Sequence, residues 1–176
     1  REGLVKNRYI GRTFIMPGQQ QRVRSIRQKL NPIPEVFRGK KVLLVDDSIV
    51  RGNTSRSIIQ MVRSAGASRV YFASYSAPLT HPCVYGIDMQ TRSEFIAAGQ
   101  NPPEIAALIG ADQVVYQTIG DMEAAVRRQN RSIRTFCKAC FTGCYPTGDV
   151  SGRFLSQIEA ERQQLREKQG ELKLGL

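Results

Sequence analysis

The sequence lacks any apolar run of the roughly 18 residues that a membrane span needs, so no transmembrane helix is expected. It also lacks a G-x-x-x-x-G-K-[ST] run, which excludes a Walker-type phosphate loop. Histidine is nearly absent. The single one, His81, lies far along the chain from the acidic pair discussed below and reads as structural or as a neighbour of the cysteines. Arg1-Glu2-Gly3-Leu4 offers neither an initiator methionine nor an apolar signal core, so it reads as a cut edge with nothing pointing to secretion. No cysteine precedes Cys83. The four cysteines, Cys83, Cys137, Cys140 and Cys144, sit in a chain without an export signal, which favours reduced thiols, metal or catalysis over a disulfide framework, and suggests a cytoplasmic compartment.

Acidic residues are scarce at one end only. Residues 1–41 hold 11 Lys or Arg against two acids, whereas residues 42–176 hold 15 against 13, so most of the net charge of +11 lies in the first quarter. A basic face spread over the whole chain would have suggested nucleic acid or a membrane surface. Here the basic stretch carries only Tyr9, Phe14 and Phe37 as aromatics, too few for the stacking platforms of single-strand binders. A small polyanionic substrate is the preferred reading, a solvated basic loop the plainer one. At 176 residues, 41% hydrophobic and 23% charged, the chain suits one soluble globular domain able to bury about two-thirds of its unfolded surface.

Three stretches are expected: a flexible basic loop region over 1–41, a core over 42–130, and a cysteine-containing segment with a terminal helix over 131–176. Residues 1–40 mix Gly, Pro, Gln and Arg without a sustained period and read as a functional loop. Lys41-Val-Leu-Leu-Val45 reads as a strand buried on both faces. Thr54 is expected to cap a helix with Ile58, Ile59, Val62 and Ala65 on its apolar face and Gly66 as its stop. A strand over 69–73 follows, then a short helix opened by the capping box Thr91–Glu94 and stopped at Gly99. Asn101-Pro-Pro-Glu104 starts a helix ended by Gly110, before a strand over 113–116 and a helix from Asp121 to about Arg128. The last helix, over 151–170, shows Phe154, Leu155, Ile158 and Leu165 on one side. Strands alternating with helices imply a parallel α/β sheet.

Ligands of such sheets gather at the carboxyl ends of the strands, where Asp46 and Asp47 are expected. The residues after them supply hydroxyls, a glycine and the free amides of a helix start, a ready anion site. Carboxylates beside a phosphate cradle suit a sugar phosphate, accepting from ribose hydroxyls or holding a divalent cation. A single Asp often caps a turn, but two adjacent ones emerging from a strand fit that reading less well. A phosphoreceiver domain, with Asp88 as acceptor, is the weaker alternative, because it has no use for Arg51-Gly-Asn-Thr-Ser55 or for the basic segment upstream.

The run Val42-Leu-Leu-Val-Asp-Asp-Ser-Ile-Val-Arg-Gly-Asn-Thr-Ser55 resembles the signature of type I phosphoribosyltransferases, and its wording is similar to that of amidophosphoribosyltransferases. Leu4 to Gln20, Val84 to Met89 and Ile109 to Asp112 resemble further segments of that family. The resemblance covers nearly all of the chain up to about Asp149. It implies a type I phosphoribosyltransferase-like α/β fold with a parallel sheet and flanking helices, incomplete at its N-terminus. The implied activity is transfer of glutamine-derived ammonia to phosphoribosyl diphosphate with loss of pyrophosphate, at the head of purine synthesis. By position, Asp46 and Asp47 would be catalytic, touching ribose hydroxyls and magnesium. Ser48, Ile49, Val50, Arg51, Gly52, Asn53, Thr54 and Ser55 would wrap the 5-phosphate. Lys6, Arg12 and Lys29 would handle substrate or pyrophosphate, Arg12 and Lys29 as catalytic groups. Asn53 stands where Thr is more usual.

Cys137-Lys-Ala-Cys140 has the spacing of a metal or cluster knuckle, although two free thiols explain it too. The resemblance implies a structural [4Fe–4S] cluster on Cys83, Cys137 and Cys140, with a fourth ligand upstream of Arg1. Cys144 stands where that cluster type has Lys, and zinc also fits the spacing. The same resemblance places the glutaminase domain with its catalytic cysteine, the pyrophosphate loop and the first strands of the sheet before Arg1. It further implies a homo-oligomer inhibited by purine nucleotides, with neither nucleic acid nor membrane as partner. A catalytically inactive module that still binds nucleotide or phosphoribosyl diphosphate is the alternative.

Overall fold

The computed structural model describes residues 2–7, 30–87, 91–161 and 164. Its centre is a three-stranded parallel sheet of β3 (Lys41–Asp46), β4 (Arg69–Ser74) and β5 (Gln113–Tyr116), in that order. The register sets Asp46 opposite Ser74 and Ser74 opposite Tyr116, so the carboxyl ends of the three strands finish level. Ahead of the sheet, β1 (Leu4–Lys6) and β2 (Leu30–Pro32) pair antiparallel, and the short helix α1 (Pro34–Phe37) follows. No strand period is legible at either ribbon strand. The ribbon is pinned by contact instead, since a Cβ on Gly3 would stand 2.5 Å from the Phe37 ring.

Helix α2 (Asn53–Ser64) returns from β3 to β4, and α3 (Pro102–Ile109) leads into β5. Pleating puts Val42, Leu44, Val70, Phe72 and Val114 on one face. There they meet Ile59 and Val62 of α2 and Ile105 and Ile109 of α3. Each such aliphatic side chain contributes about 1.5–3 kcal/mol on full burial. The opposite face is open among the described residues: Leu43, Val45 and Val115 are 60%, 56% and 51% exposed. The expectation of a β3 strand buried on both faces is thereby corrected. α2 and α3 cover one side, and alternate residues of β3 point to the other.

Three helix boundaries also differ from expectation. α2 begins at Asn53 with Gly52, at φ +74°, as its N-cap, so Thr54 lies inside the helix and caps nothing. The capping box at Thr91 yields only a 3-10 turn, Arg92–Glu94, because the Ile96 amide donates to Val50 O at 2.9 Å rather than continuing the helix. Helix α4 (Ile119–Gln129) starts before Asp121, since the Thr118 hydroxyl accepts from the Asp121 amide at 3.1 Å. α3 opens and closes as read, with Asn101 and Glu104 exchanging bonds of 3.0 and 2.7 Å and Gly110 at φ +79°. A four-residue helix, α5 (Ala139–Thr142), follows, and residues 152–161 form α6. Leu165, the last apolar residue read on that helix, lies outside the described residues.

Two arginines of α2 fasten it to the end of α3. Arg56 Nε donates to Leu108 O at 2.9 Å, and Arg63 Nε donates to Gly110 O at 3.0 Å, satisfying carbonyls that a helix terminus leaves without partners. Arg63 also meets Asp112 Oδ2 at 2.7 Å, and the same oxygen accepts from the Val70 amide at 2.7 Å. The Val70 amide first, and Arg63 after it, hold the Asp112 carboxyl below its ordinary range. A lowered carboxylate pKa gives stability that is present above the ordinary value of about 3.9 and is lost as pH falls through the folded value. Asp112→Asn should therefore flatten the acid limb of a denaturation-versus-pH profile; an unchanged limb would remove Asp112 from the acid response.

Candidate functional site

The site is built where β3 runs out. Asp46 is the last residue of the strand and half-buried, Asp47 is exposed, and the Asp47 amide donates to Asp46 Oδ1 at 3.0 Å. Ser48 Oγ donates to Asp47 Oδ1 at 2.9 Å. Beneath them the next loop follows in step, with the Tyr75 amide donating to Asp46 O and the Ser76 amide to Asp47 O, both at 2.9 Å. Burial, and then the neighbouring Asp47, push the Asp46 carboxyl up against the pull of the Asp47 amide. Among the described residues no Lys or Arg forms an ion pair with either aspartate. Two adjacent carboxylates without a cationic partner form an acceptor set that suits hydroxyl donors or a hard divalent cation.

The chain then turns into α2. Gly52 has no side chain to cap this helix, and among the described residues no other side chain accepts from its first amides. Those amides are among the four donors that every helix start leaves without intrahelical partners, and a helix start of this kind offers positive potential to an anion. Gly52 is required twice over: its φ is positive, and a Cβ there would meet Ile96 Cδ1 at 2.5 Å and Ile109 Cγ2 at 2.9 Å. Its missing side chain faces the core, so it lets the loop lie on Ile96 and Ile109 rather than admitting a ligand from that side. Ile49 is buried in the same core and offers a ligand only its backbone, and Ser55 is buried as well. Thr54 is exposed at the helix start. Arg51 turns its guanidinium to Glu94, Nη2 to Oε1 at 2.8 Å.

Of the three basic residues expected at the site, only Lys6 lies within the described residues. Lys6 is exposed at the end of β1, and among the described residues no ion pair joins it to the acidic pair. Arg12 and Lys29 lie outside the described residues, as does Asp88. Two groups at the same edge escape a sequence reading. Ser74, buried, donates to Ser76 O at 3.0 Å. The Tyr116 hydroxyl is buried without a hydrogen-bond partner among the described residues, and burial pushes its pKa up to about 12. Only their places at the ends of β4 and β5 could have pointed to them.

The cysteines converge from separate segments. Thr80 and His81 both donate their amides to Cys140 O at 3.0 Å, and Thr80 Oγ1 donates to Phe141 O at 2.9 Å. His81 Nδ1 bonds to Thr80 Oγ1 at 2.8 Å, and its ring fills the space beside Gly143, where a Cβ would come within 2.7 Å of Nε2. His81 is thus a packing residue of the cysteine segment. Helix α4 holds that segment from another side, through Glu123 Oε1 to Lys138 Nζ at 2.8 Å and Arg127 over the Phe136 ring at 5.6 Å. Cys83, Cys137 and Cys140 line one hollow of about 420 Å³ with Ala139 and Pro146, and Cys144 is not among its walls. Burial first, then the proximity of Cys137 and Cys83, raises the Cys140 thiol. Among the described residues no three His, Cys, Asp or Glu side chains stand close enough to form a ready metal-ligand group.

A parallel sheet with an acidic pair at its carboxyl edge and an uncapped, glycine-started helix beyond it defines a phosphoribosyltransferase-type α/β domain. Comparison with known proteins makes the assignment specific. No family model matches the chain. An amidophosphoribosyltransferase of Pasteurella multocida is 50% identical over 171 residues, covering 97% of this chain and 34% of that protein. Its Saccharomyces cerevisiae counterpart is 43% identical over 173 residues, covering 98% and 33%. The solved Bacillus subtilis glutamine phosphoribosylpyrophosphate amidotransferase, complexed with ADP and GMP, superposes with a TM-score of 0.66 at 45% identity, covering 83% of this chain and 32% of that one. The chain belongs to the amidophosphoribosyltransferase family, and it spans about a third of the length of the curated relatives it matches.

The raised Asp46 carboxyl carries a sign that can be tested. A folded pKa above the unfolded one favours the folded state at low pH, and that stability is lost as pH rises through the folded value. Ionised Asp46 therefore costs the ligand-free protein stability at neutral pH. Asp46→Asn, which keeps an oxygen for the Asp47 amide, should raise the ligand-free Tm at pH 7 and narrow its difference from the Tm at pH 4; a lowered Tm at pH 7 would contradict this.

Proposed function

We propose that this chain forms the phosphoribosyl-diphosphate-binding part of an enzyme that transfers glutamine-derived ammonia to C1 of that substrate. The products are 5-phosphoribosylamine, glutamate and pyrophosphate, and the reaction opens de novo purine synthesis. The observation that carries the reading is the pairing of Asp46 and Asp47, without a cationic partner among the described residues, with the uncapped start of α2 one short loop away. The open amides of that helix suit the 5-phosphate, and the carboxylates suit the ribose hydroxyls.

Displacement at C1 passes through an oxocarbenium-like state while charge gathers on the departing pyrophosphate. Positioning and fixed electrostatics dominate such a step, and ammonia needs no strong protein base. Asp46 and Asp47 hold the sugar in place and set negative charge near the developing cation. They are also the residues that would hold magnesium, which when bound neutralises diphosphate charge. The concentration of positive charge before Lys41 suits the pyrophosphate, with Lys6, Arg12 and Lys29 as the groups assigned to it. Ammonia would come from a glutaminase domain, and the enzyme would act in the cytoplasm as a homo-oligomer. The Bacillus subtilis relative is complexed with ADP and GMP, which supports binding of purine nucleotides here, and inhibition is the role proposed for them.

Cys83, Cys137 and Cys140 are the residues that would hold a [4Fe–4S] cluster; what supports the reading is that they line one hollow, although as they stand they form no ready ligand group. A bound cluster would also relieve the raised Cys140 thiol by holding it as thiolate. In the enzyme carrying this chain, Asp46→Asn or Asp47→Asn should lower ammonia-dependent activity roughly tenfold or more; unchanged kinetics would take the acidic pair out of the mechanism. Protein purified without air should contain iron and acid-labile sulfide in equal amounts, with a broad visible absorption. Stoichiometric zinc without iron would replace the cluster with a zinc site.

A further inference from the structure

We propose that Glu94 is a positioning residue for the 5-phosphate cradle, anchoring Arg51 so that the loop over residues 50–52 is held from its outer side. The inference rests on the phosphate reading of that loop. An arginine inside a phosphate loop would ordinarily be read as a phosphate ligand. Here its guanidinium is paired with a carboxylate, Nη2 lying 2.8 Å from Glu94 Oε1, with the two side chains only 20% and 26% exposed. Glu94 is itself fixed before it meets the arginine, since its Oε2 accepts from the Thr91 amide at 3.3 Å and from Thr91 Oγ1 at 3.1 Å.

The two residues after Glu94 bring the rest of the wall. Phe95 is buried, and Ile96 donates its amide to Val50 O at 2.9 Å while its side chain occupies the space beside Gly52. Three successive loop residues are thus held by one short segment through three kinds of contact: a backbone bond at Val50, an ion pair at Arg51 and close packing at Gly52. The Arg92 amide, in the same turn, donates to Glu159 of α6 at 2.5 Å, so the segment is braced from behind as well. Charge reinforces the geometry. With Arg51 neutralised by Glu94, the cradle binds through backbone amides in fixed positions. Loss of the carboxylate frees a long cation beside those amides and slackens the loop at its middle residue.

The test uses the enzyme carrying this chain, with ammonia as nucleophile. Glu94→Gln keeps an oxygen for the Thr91 amide but removes the charge that holds Arg51. It should raise the KM for phosphoribosyl diphosphate by about tenfold with kcat nearly unchanged. Competitive inhibition by ribose 5-phosphate, which reads the cradle, should weaken by a similar factor, while inhibition by pyrophosphate, which reads the other end, should not move. Adding Arg51→Gln to Glu94→Gln should cause no further loss, because the pair acts as a unit. Thr91→Val, which removes one anchor of Glu94 and leaves both charges, should shift the same KM in the same direction by less, and it carries the test if the Gln variant does not fold. An unchanged KM in both variants, or equal weakening of both inhibitors, would overturn the role of Glu94. Failure of the wild-type enzyme to aminate phosphoribosyl diphosphate would overturn the functional reading and this inference with it.

Discussion

The passage from β3 into α2 has to meet two demands at once. It must leave the first amides of a helix without a side-chain cap, and it must lie against Ile96 and Ile109 closely enough that any Cβ at residue 52 would collide. Gly52 meets both, because its φ of +74° lets the chain enter the helix without a capping Ser, Thr, Asp or Asn. A capped helix would be more stable in isolation by about 1 kcal/mol. The uncapped one keeps donors for an anion, and the cost is offset by Ile49, Ile59 and Ile109, which are buried around the loop. The sheet register, the place of α3 and the fold-back of residues 91–97 all serve to bring those apolar groups beneath this one turn.

Among the described residues four arginines serve the structure rather than the chemistry. Arg51 is held by Glu94, Arg56 and Arg63 bind the last carbonyls of α3, and Arg127 covers Phe136. A phosphate group approaching the helix start therefore meets mainly backbone dipoles, whose positions are set by the fold and cost little reorganisation when a charge arrives. The excess cationic charge lies before Lys41, in the stretch between the two strands of the β1–β2 ribbon and at its edges. On the proposed function, binding of a sugar phosphate by amides and binding of a leaving diphosphate by side chains would fall to different parts of the chain.

How far the sequence disclosed this depends on what carried each signal. Strand β3, helix α3 and strand β5 were legible because apolar period, capping box and terminal glycine are local properties of Val42 to Val45, Asn101 to Gly110 and Gln113 to Tyr116. The acidic pair was legible for the same reason. The wrong boundary at Thr54 and the false helix after Thr91 both arose from tertiary contacts, since Gly52 and Ile96 are fixed by each other across more than forty residues of sequence. The open face of β3 was misread because Val42-Leu-Leu-Val45 is apolar on both sides of the pleat. Pattern reports what a strand could bury, and only the arrangement of α2 and α3 reports what these helices cover. The ribbon strands, three residues each, are too short to show a period at all.

The cysteine hollow follows the same logic of contacts distant in sequence. Cys137-Lys-Ala-Cys140 was visible as a motif, but nothing local joins it to Cys83. The connection is made by Thr80 and His81, whose amides converge on the Cys140 carbonyl, and by Tyr145, whose hydroxyl donates to Pro82 O at 2.7 Å. These bonds use backbone acceptors and leave the thiols aside. The single histidine of the chain is spent on this scaffold, with its ring closed over Gly143 and one nitrogen bonded to Thr80. Burial holds its basicity down, with Arg92 adding to the effect, which suits a neutral packing ring better than a proton carrier. The same turn that supplies Arg92 also supplies Glu94, so the wall of the phosphate cradle and the surroundings of the cysteine strap are set by one short stretch of chain. Arg92 acts on the His81 ring through its charge and Glu94 on Arg51 through an ion pair, so a displacement of that stretch would be felt at both sites.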